Sequence, residues 1–161
     1  RCGHTNGHHL ISTEAMQEKI KAAKTALQNP NTILMARTDA ISAEGSLEAA
    51  ITRARAYLTA GADALFIEAP RTTEEIRRIP QAFPHTPLLI NMMEGGKTPL
   101  VPQIVLEKWG YRLIAYPILT LLSATQAIIN SLASLKTYGT SQRLNSRHLT
   151  SFIKFRRIID L

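Results

Sequence analysis

The sequence predicts an α/β protein with a parallel sheet, and three observations lead there. Four short apolar runs, at 32–36, 64–67, 87–90 and 112–116, recur at intervals of roughly 23 to 32 residues. Between them lie stretches whose apolar positions repeat at helical spacing and whose ends carry capping residues. Each run also ends in polar or aromatic groups: Arg37 with Asp39, Glu68, Asn91 with Glu94, and Tyr116. Strand-helix alternation of this length implies right-handed βαβ units. A lone charge directly after an apolar run is too costly to bury unpaired, so these groups are expected at the carboxyl ends of the strands.

Taken in order, residues 1–9 are polar and glycine-punctuated, which reads as a loop. Ser12 or Thr13 caps a helix running to about Gln28, and Asn29-Pro30-Asn31 stops it. The strand at 32–36 follows and is expected to be buried on both faces. Glu44-Gly45-Ser46 forms a turn, with Ser46 capping a helix at 47–60 whose stripe is Ala49, Ala50, Ala54, Tyr57 and Leu58. Gly61 closes that helix in a left-handed cap. The second strand, 64–67, leads to Glu68-Ala69-Pro70, and Thr72 or Thr73 caps a helix to Ala82. The third strand, 87–90, ends in Asn91-Met92-Met93-Glu94-Gly95-Gly96-Lys97, and a helix spans 101–109. After the fourth strand Pro117 breaks the chain, a long helix covers 119–138, and Gly139 ends it. A polar linker then leads to a last amphipathic helix bearing Leu149, Phe152, Ile153, Arg156 and Ile159. The expected division is therefore a partial β/α barrel at 1–139 and a linker with C-terminal helix at 140–161.

Composition narrows the function classes. The 161 residues are 45% hydrophobic, no apolar run is long enough to cross a bilayer, and the single cysteine fits a reducing cytoplasm. The net charge of +7 comes entirely from the last third, where Lys108, Arg112, Lys136, Arg143, Arg147, Lys154, Arg156 and Arg157 face Asp160 alone. Such a tail suits nucleic acid or an acidic membrane face, but a solvated helix face or a partner-docking tail is the plainer reading. The first residues, Arg1-Cys2-Gly3-His4, lack an initiating methionine and a signal-peptide core, as expected of a trimmed chain or one beginning mid-protein. Four strand-helix units make about half of an eight-stranded β/α barrel of about 250 residues, and an open four-stranded sheet is the rival.

Five motifs in order carry a resemblance. Arg-Cys-Gly-His at 1–4, Ala-Arg-Thr-Asp-Ala at 36–40 and Gly-Ala-Asp-Ala-Leu-Phe-Ile-Glu-Ala at 61–69 come first. Asn-Met-Met-Glu-Gly-Gly-Lys-Thr-Pro at 91–99 and Gly-Tyr-Arg-Leu-Ile-Ala-Tyr-Pro at 110–117 complete the set. Together they resemble the isocitrate lyase and phosphoenolpyruvate mutase superfamily, with the glycine-rich segment most like petal death protein and carboxyvinyl-carboxyphosphonate phosphorylmutase-like lyases. The resemblance implies the C-terminal half of a TIM-type barrel and a Mg²⁺-dependent C–C lyase for a small 2-hydroxy or 2-oxo dicarboxylate, such as a 2-alkylmalate or oxaloacetate. It implies an acid/base role for Cys2 on a gating loop, carboxylate binding by Gly3 and His4, and a substrate grip by Arg37. Glu68 is then the metal-proximal carboxylate and Asn91 a hydrogen-bond donor to substrate. It also implies a homo-oligomer that exchanges a C-terminal helix. Met93 stands where related lyases often have Ser or Thr, which argues against a second-carboxylate site. The family's first strands, with their metal ligands, have no counterpart, so Mg²⁺ ligands are expected mainly from a complementary segment. A phosphonate-forming mutase and an inactive truncated relative acting as an interaction module are the alternatives.

Plainer readings compete for each residue. Cys2 serves as well for an inert thiol, and Cys2, His4, His8 and His9 crowd too closely on one loop to make a convincing zinc site. Arg37 competes as a partner of Asp39 or Glu68 in a purely structural ion pair. Glu68 and Asn91 could satisfy backbone groups, and Asp63 reads as a turn residue before its strand. Gly95-Gly96-Lys97-Thr98 lacks phosphate-loop spacing.

Overall fold

A computed structural model describes residue 7 and residues 9–144 and 149–159. The chain divides into two compact units, Arg1–Pro117 and Ile118–Leu161. The first opens with α1 (Thr13–Ala26), capped by the Ser12 hydroxyl, which accepts from the Ala15 amide. Then follow β1 (Met35–Thr38), α2 (Ala40–Glu44), α3 (Leu47–Thr59), β2 (Ala64–Ile67) and α4 (Thr73–Ala82). The unit closes with β3 (Leu88–Asn91), α5 (Gln103–Trp109) and β4 (Leu113–Ala115). The four strands pair in parallel in chain order, β1-β2-β3-β4, as the βαβ reading requires.

Residue parity along the strands divides the sheet into two faces. Ala36, Leu65, Ile67, Leu88 and Ile90 join one hydrophobic core with Ala50, Ala54 and Tyr57 of α3, Ile76 and Ile79 of α4 and Leu106 of α5. Alternation along each strand therefore sends Arg37, Phe66 and Asn91, with Glu68 in step just beyond β2, to the opposite face. Arg37 pairs with Phe66 across β1 and β2, and its guanidinium lies 4.8 Å from the Phe66 ring centroid. The fold thus holds the polar groups away from the helix layer.

Several boundaries move from their sequence positions. Arg37 stands inside β1 rather than after it, and Ile33 is exposed instead of buried. The reason is register: the Leu34 carbonyl accepts from the Asp63 and Ala64 amides, so the ladder begins with Met35 opposite Ala64. Asn91 likewise belongs to β3, opposite Ala115. α5 starts two residues later than its apolar pattern because Pro102 occupies the N-cap position. α2, a short helix after Asp39, carries no periodic signal and was not expected.

Two polar fastenings tie α1 to this unit. Lys24 Nζ reaches both carboxylate oxygens of Asp63 at 2.6 and 2.8 Å, and Asp63 Oδ2 also accepts the Leu34 amide at 2.8 Å. Asp63 is thus the turn residue that the sequence suggested, with added duty as an anchor. Arg53 of α3 is buried and donates to Tyr57 Oη, Thr13 Oγ1 and the Ile11 carbonyl. Nothing in the sequence marked that arginine.

The second unit contains α6 (Leu119–Tyr138), ended by Gly139 at φ 65°, and α7 (Phe152–Ile159). Neither helix has a buried residue. Leu121, Ile128, Ile129 and Leu132 are each more than half exposed on α6. α7 presents Phe152, Phe155 and Ile159 among Lys154, Arg156 and Arg157. No helix among the described residues is long and apolar enough to cross a membrane.

The Lys24 hydrogen bonds, followed by the Leu34 amide, hold the pKa of Asp63 below the usual carboxylate value. A depressed folded value stabilises fully above the unfolded pKa of about 4 and loses that contribution as pH falls through the folded one. Thermal melts should therefore place wild type above Asp63→Asn at pH 6, with the gap closing below about pH 4. A gap independent of pH would contradict this role.

Candidate active site at the strand ends

Three adjacent strands deliver the site. Arg37 from β1 holds Asp39 in a two-bond fork, Nε to Oδ2 and Nη2 to Oδ1, both 2.8 Å. The same Nη2 lies 3.2 Å from Glu68 Oε2, one residue past β2. Asn91 at the end of β3 donates from Nδ2 to that Glu68 oxygen, also at 3.2 Å. Arg37, Glu68 and Asn91 therefore meet at the carboxyl rim, where β/α folds assemble their ligand sites.

Burial is uneven across the cluster. The Glu68 side chain is 1% exposed and that of Arg37 is 40% exposed. A buried carboxylate thus faces a guanidinium that still reaches solvent. The ion-pair alternative for Arg37 is realised with both carboxylates at once. Among the described residues, one guanidinium thus faces two carboxylates.

Sequence-marked residues outside this triangle divide in three. Cys2, Gly3 and His4 lie outside the described residues, as does His8. Tyr116 lines a cavity of about 430 Å³ with Gln103, Glu107, Tyr111, Arg112 and Ile114. Burial pushes the pKa of Tyr111 up, and its hydroxyl donates to the Ile76 carbonyl at 2.9 Å, a structural bond. Glu94 is half-buried, and among the described residues its Oε2 has no hydrogen-bond partner; nor has Oγ1 of buried Thr98. Asp39 had entered the sequence reading only as a structural partner for Arg37, yet it holds the shortest contacts in the cluster.

Among the described residues no three His, Cys, Asp or Glu side chains gather as metal ligands. Mg²⁺ demands near-octahedral oxygen coordination, and two carboxylates already bonded to a guanidinium fall short of that. The described part of the chain does not by itself form a magnesium site.

With this geometry established, comparison with known proteins gives the lineage. The phosphoenolpyruvate phosphomutase family (PEP_mutase) matches residues 3–136. The chain belongs to that family. It is 44% identical over 142 residues to a probable 2-methylisocitrate lyase 1 of Corynebacterium glutamicum, covering 88% of this chain and 46% of that protein. It is 39% identical over 161 residues to a 2,3-dimethylmalate lyase of Eubacterium barkeri, covering 100% of this chain and 55% of the relative. A crystal structure of 2,3-dimethylmalate lyase, a PEP mutase/isocitrate lyase superfamily member, superposes with a TM-score of 0.85 at 32% identity, over 98% of this chain and 52% of that one. The fold alone is shared with a phosphonopyruvate hydrolase solved with oxalate and Mg²⁺, at a TM-score of 0.76 and 23% identity, over 97% of this chain and 55% of the other. The chain spans about half the length of the curated relatives it matches, and its four-stranded sheet is the corresponding half of a TIM-type barrel.

Asn91→Asp sets a second carboxylate against the buried Glu68 oxygen. It should lower stability to urea at pH 7 by about 1–3 kcal/mol, and by less in acid at about pH 4, where a shared proton relieves the repulsion. An unchanged midpoint at both pH values would mean that Asn91 and Glu68 are not coupled.

Proposed function

We propose that the protein carrying this chain is a carbon–carbon lyase acting on a small 2-hydroxy or 2-oxo dicarboxylate of the 2-alkylmalate or oxaloacetate kind. The observation that carries the reading is the meeting of Arg37, Glu68 and Asn91 from successive strands at one rim. The lineage adds support, since 2,3-dimethylmalate lyase and 2-methylisocitrate lyase are names borne by its relatives.

In a 2-hydroxy dicarboxylate, a base takes the hydroxyl proton and the carbonyl forms as the adjacent C–C bond breaks. The bonding pair moves to the carbon beside the other carboxylate, which leaves as an enolate. Arg37 and the Asn91 amide would hold carboxylate and enolate oxygens by preorganised donors, the main electrostatic contribution expected of this chain. Glu68 fixes the orientation of both donors. Cys2 would protonate the enolate carbon, since a thiol of pKa about 8.5 is lowered beside cationic groups such as Arg1 and His4.

A divalent cation such as Mg²⁺, held by ligands outside the described residues with Glu68 nearby, belongs to the same reading. So does a cytoplasmic setting. The exposed apolar side chains of α6, Leu121, Ile128 and Leu132 among them, support a homo-oligomer in which that helix is covered. Light scattering at low micromolar concentration should give a mass of at least two chains; a clean monomer would contradict the oligomer.

The assay follows pyruvate release from 2,3-dimethylmalate, and loss of oxaloacetate, in the full-length protein with Mg²⁺. Turnover is expected, with Arg37→Lys lowering kcat by about 10²–10³-fold and Cys2→Ser abolishing it. Phosphonate formation from phosphoenolpyruvate in place of C–C cleavage would promote the mutase reading. Absence of all turnover, with oxalate binding unaffected by Mg²⁺ or chelator, would contradict the lyase and leave an inactive relative.

A further inference from the structure

Ala69, directly after Glu68, adopts a left-handed backbone with φ 56° and is the one non-glycine residue with positive φ among the described residues. Such a conformation costs a residue with a Cβ roughly 1 kcal/mol or more and persists only where its surroundings enforce it. Here the enforcement is visible on both sides. Upstream, the Glu68 amide donates to the Thr38 carbonyl at 3.0 Å, extending the β1–β2 ladder by one rung. Downstream, Pro70 is fully buried, and the Arg71 amide donates to Glu75 of α4, whose own amide donates to Thr72 Oγ1. The turn is therefore fixed at three points.

Arg71 also reaches out of the turn. Its Nη2 donates to the Ile41 carbonyl at 3.1 Å, across a sequence separation of 30 residues. Ile41 is buried in α2, the helix that begins directly after Asp39. One guanidinium thus ties the turn behind Glu68 to the helix behind Asp39. Those are the two carboxylates that bracket Arg37.

We propose that Arg71 is a positioning residue which, through the Ile41 carbonyl and the left-handed Ala69 turn, sets the spacing of Asp39 and Glu68 around Arg37. Its bearing on substrate rests on the lyase reading; its bearing on Arg37 does not. Without the strut, α2 and the Ala69 turn relax independently. The Arg37 fork then loses the rigid frame that keeps its Nε–H on Asp39.

The test reads that proton. In ¹⁵N-labelled protein, the Arg37 Nε–H should exchange with solvent at least about tenfold faster in Arg71→Met than in wild type, at an unchanged melting temperature. Arg77→Met, which removes only an exposed pair with Glu74 on α4, should leave the exchange unchanged. Arg71 is exposed, so folding should survive its replacement, and Arg71→Gln gives the same reading where Met is not tolerated. Exchange equal to wild type in the folded Arg71 variant, or an equal effect from Arg77→Met, would overturn the proposal. The measurement needs no turnover, so a failed lyase assay and a failed strut are separate outcomes.

Discussion

Arg37 places a guanidinium at the end of a strand, and the rest of the site follows from compensating it. A positive charge beside a sheet core is tolerated where carboxylates and hydrogen bonds meet it. Asp39, two residues on, supplies a fork at 2.8 Å, and Glu68, from the next strand, supplies a contact at 3.2 Å. Glu68 is buried and needs a second donor, which Asn91 of the third strand provides. Each strand thus contributes what its neighbour requires, and parallel register brings them level. Arg37, held by both carboxylates, still keeps a side chain that is 40% exposed.

Much of the scaffold was legible from the chain. β2 begins and ends where its apolar run does, between a glycine-bearing turn and Glu68. The caps Ser12, Ser46 and Thr72 each accept the amide three residues on, as hydroxyl caps do. Gly139 closes α6 in the left-handed geometry expected of it. What escaped was whatever depends on register between strands. Ile33 belongs to the apolar run but precedes the first ladder bond, so it is exposed; Arg37 and Asn91 fall inside strands because pairing runs one or two residues further than hydrophobicity does.

The site was legible in part for the same reason. Spacing marked Arg37, Glu68 and Asn91, since a polar residue ending a buried run needs a purpose. It did not reveal how Asp39 grips Arg37, nor the buried Arg53, whose partners Thr13 and Ile11 lie some forty residues away. Ala69 gave no signal at all, because alanine does not advertise positive φ as glycine does. Long-range hydrogen bonds to backbone carbonyls leave no periodic trace in a sequence.

The central claim is that Arg37 and Glu68 act as one coupled unit across β1 and β2. A double-mutant cycle in urea, with Arg37→Met, Glu68→Gln and the pair, measures it directly. Coupling above about 1 kcal/mol is predicted for groups in direct contact around a buried carboxylate, whereas effects that add within about 0.5 kcal/mol would contradict the account.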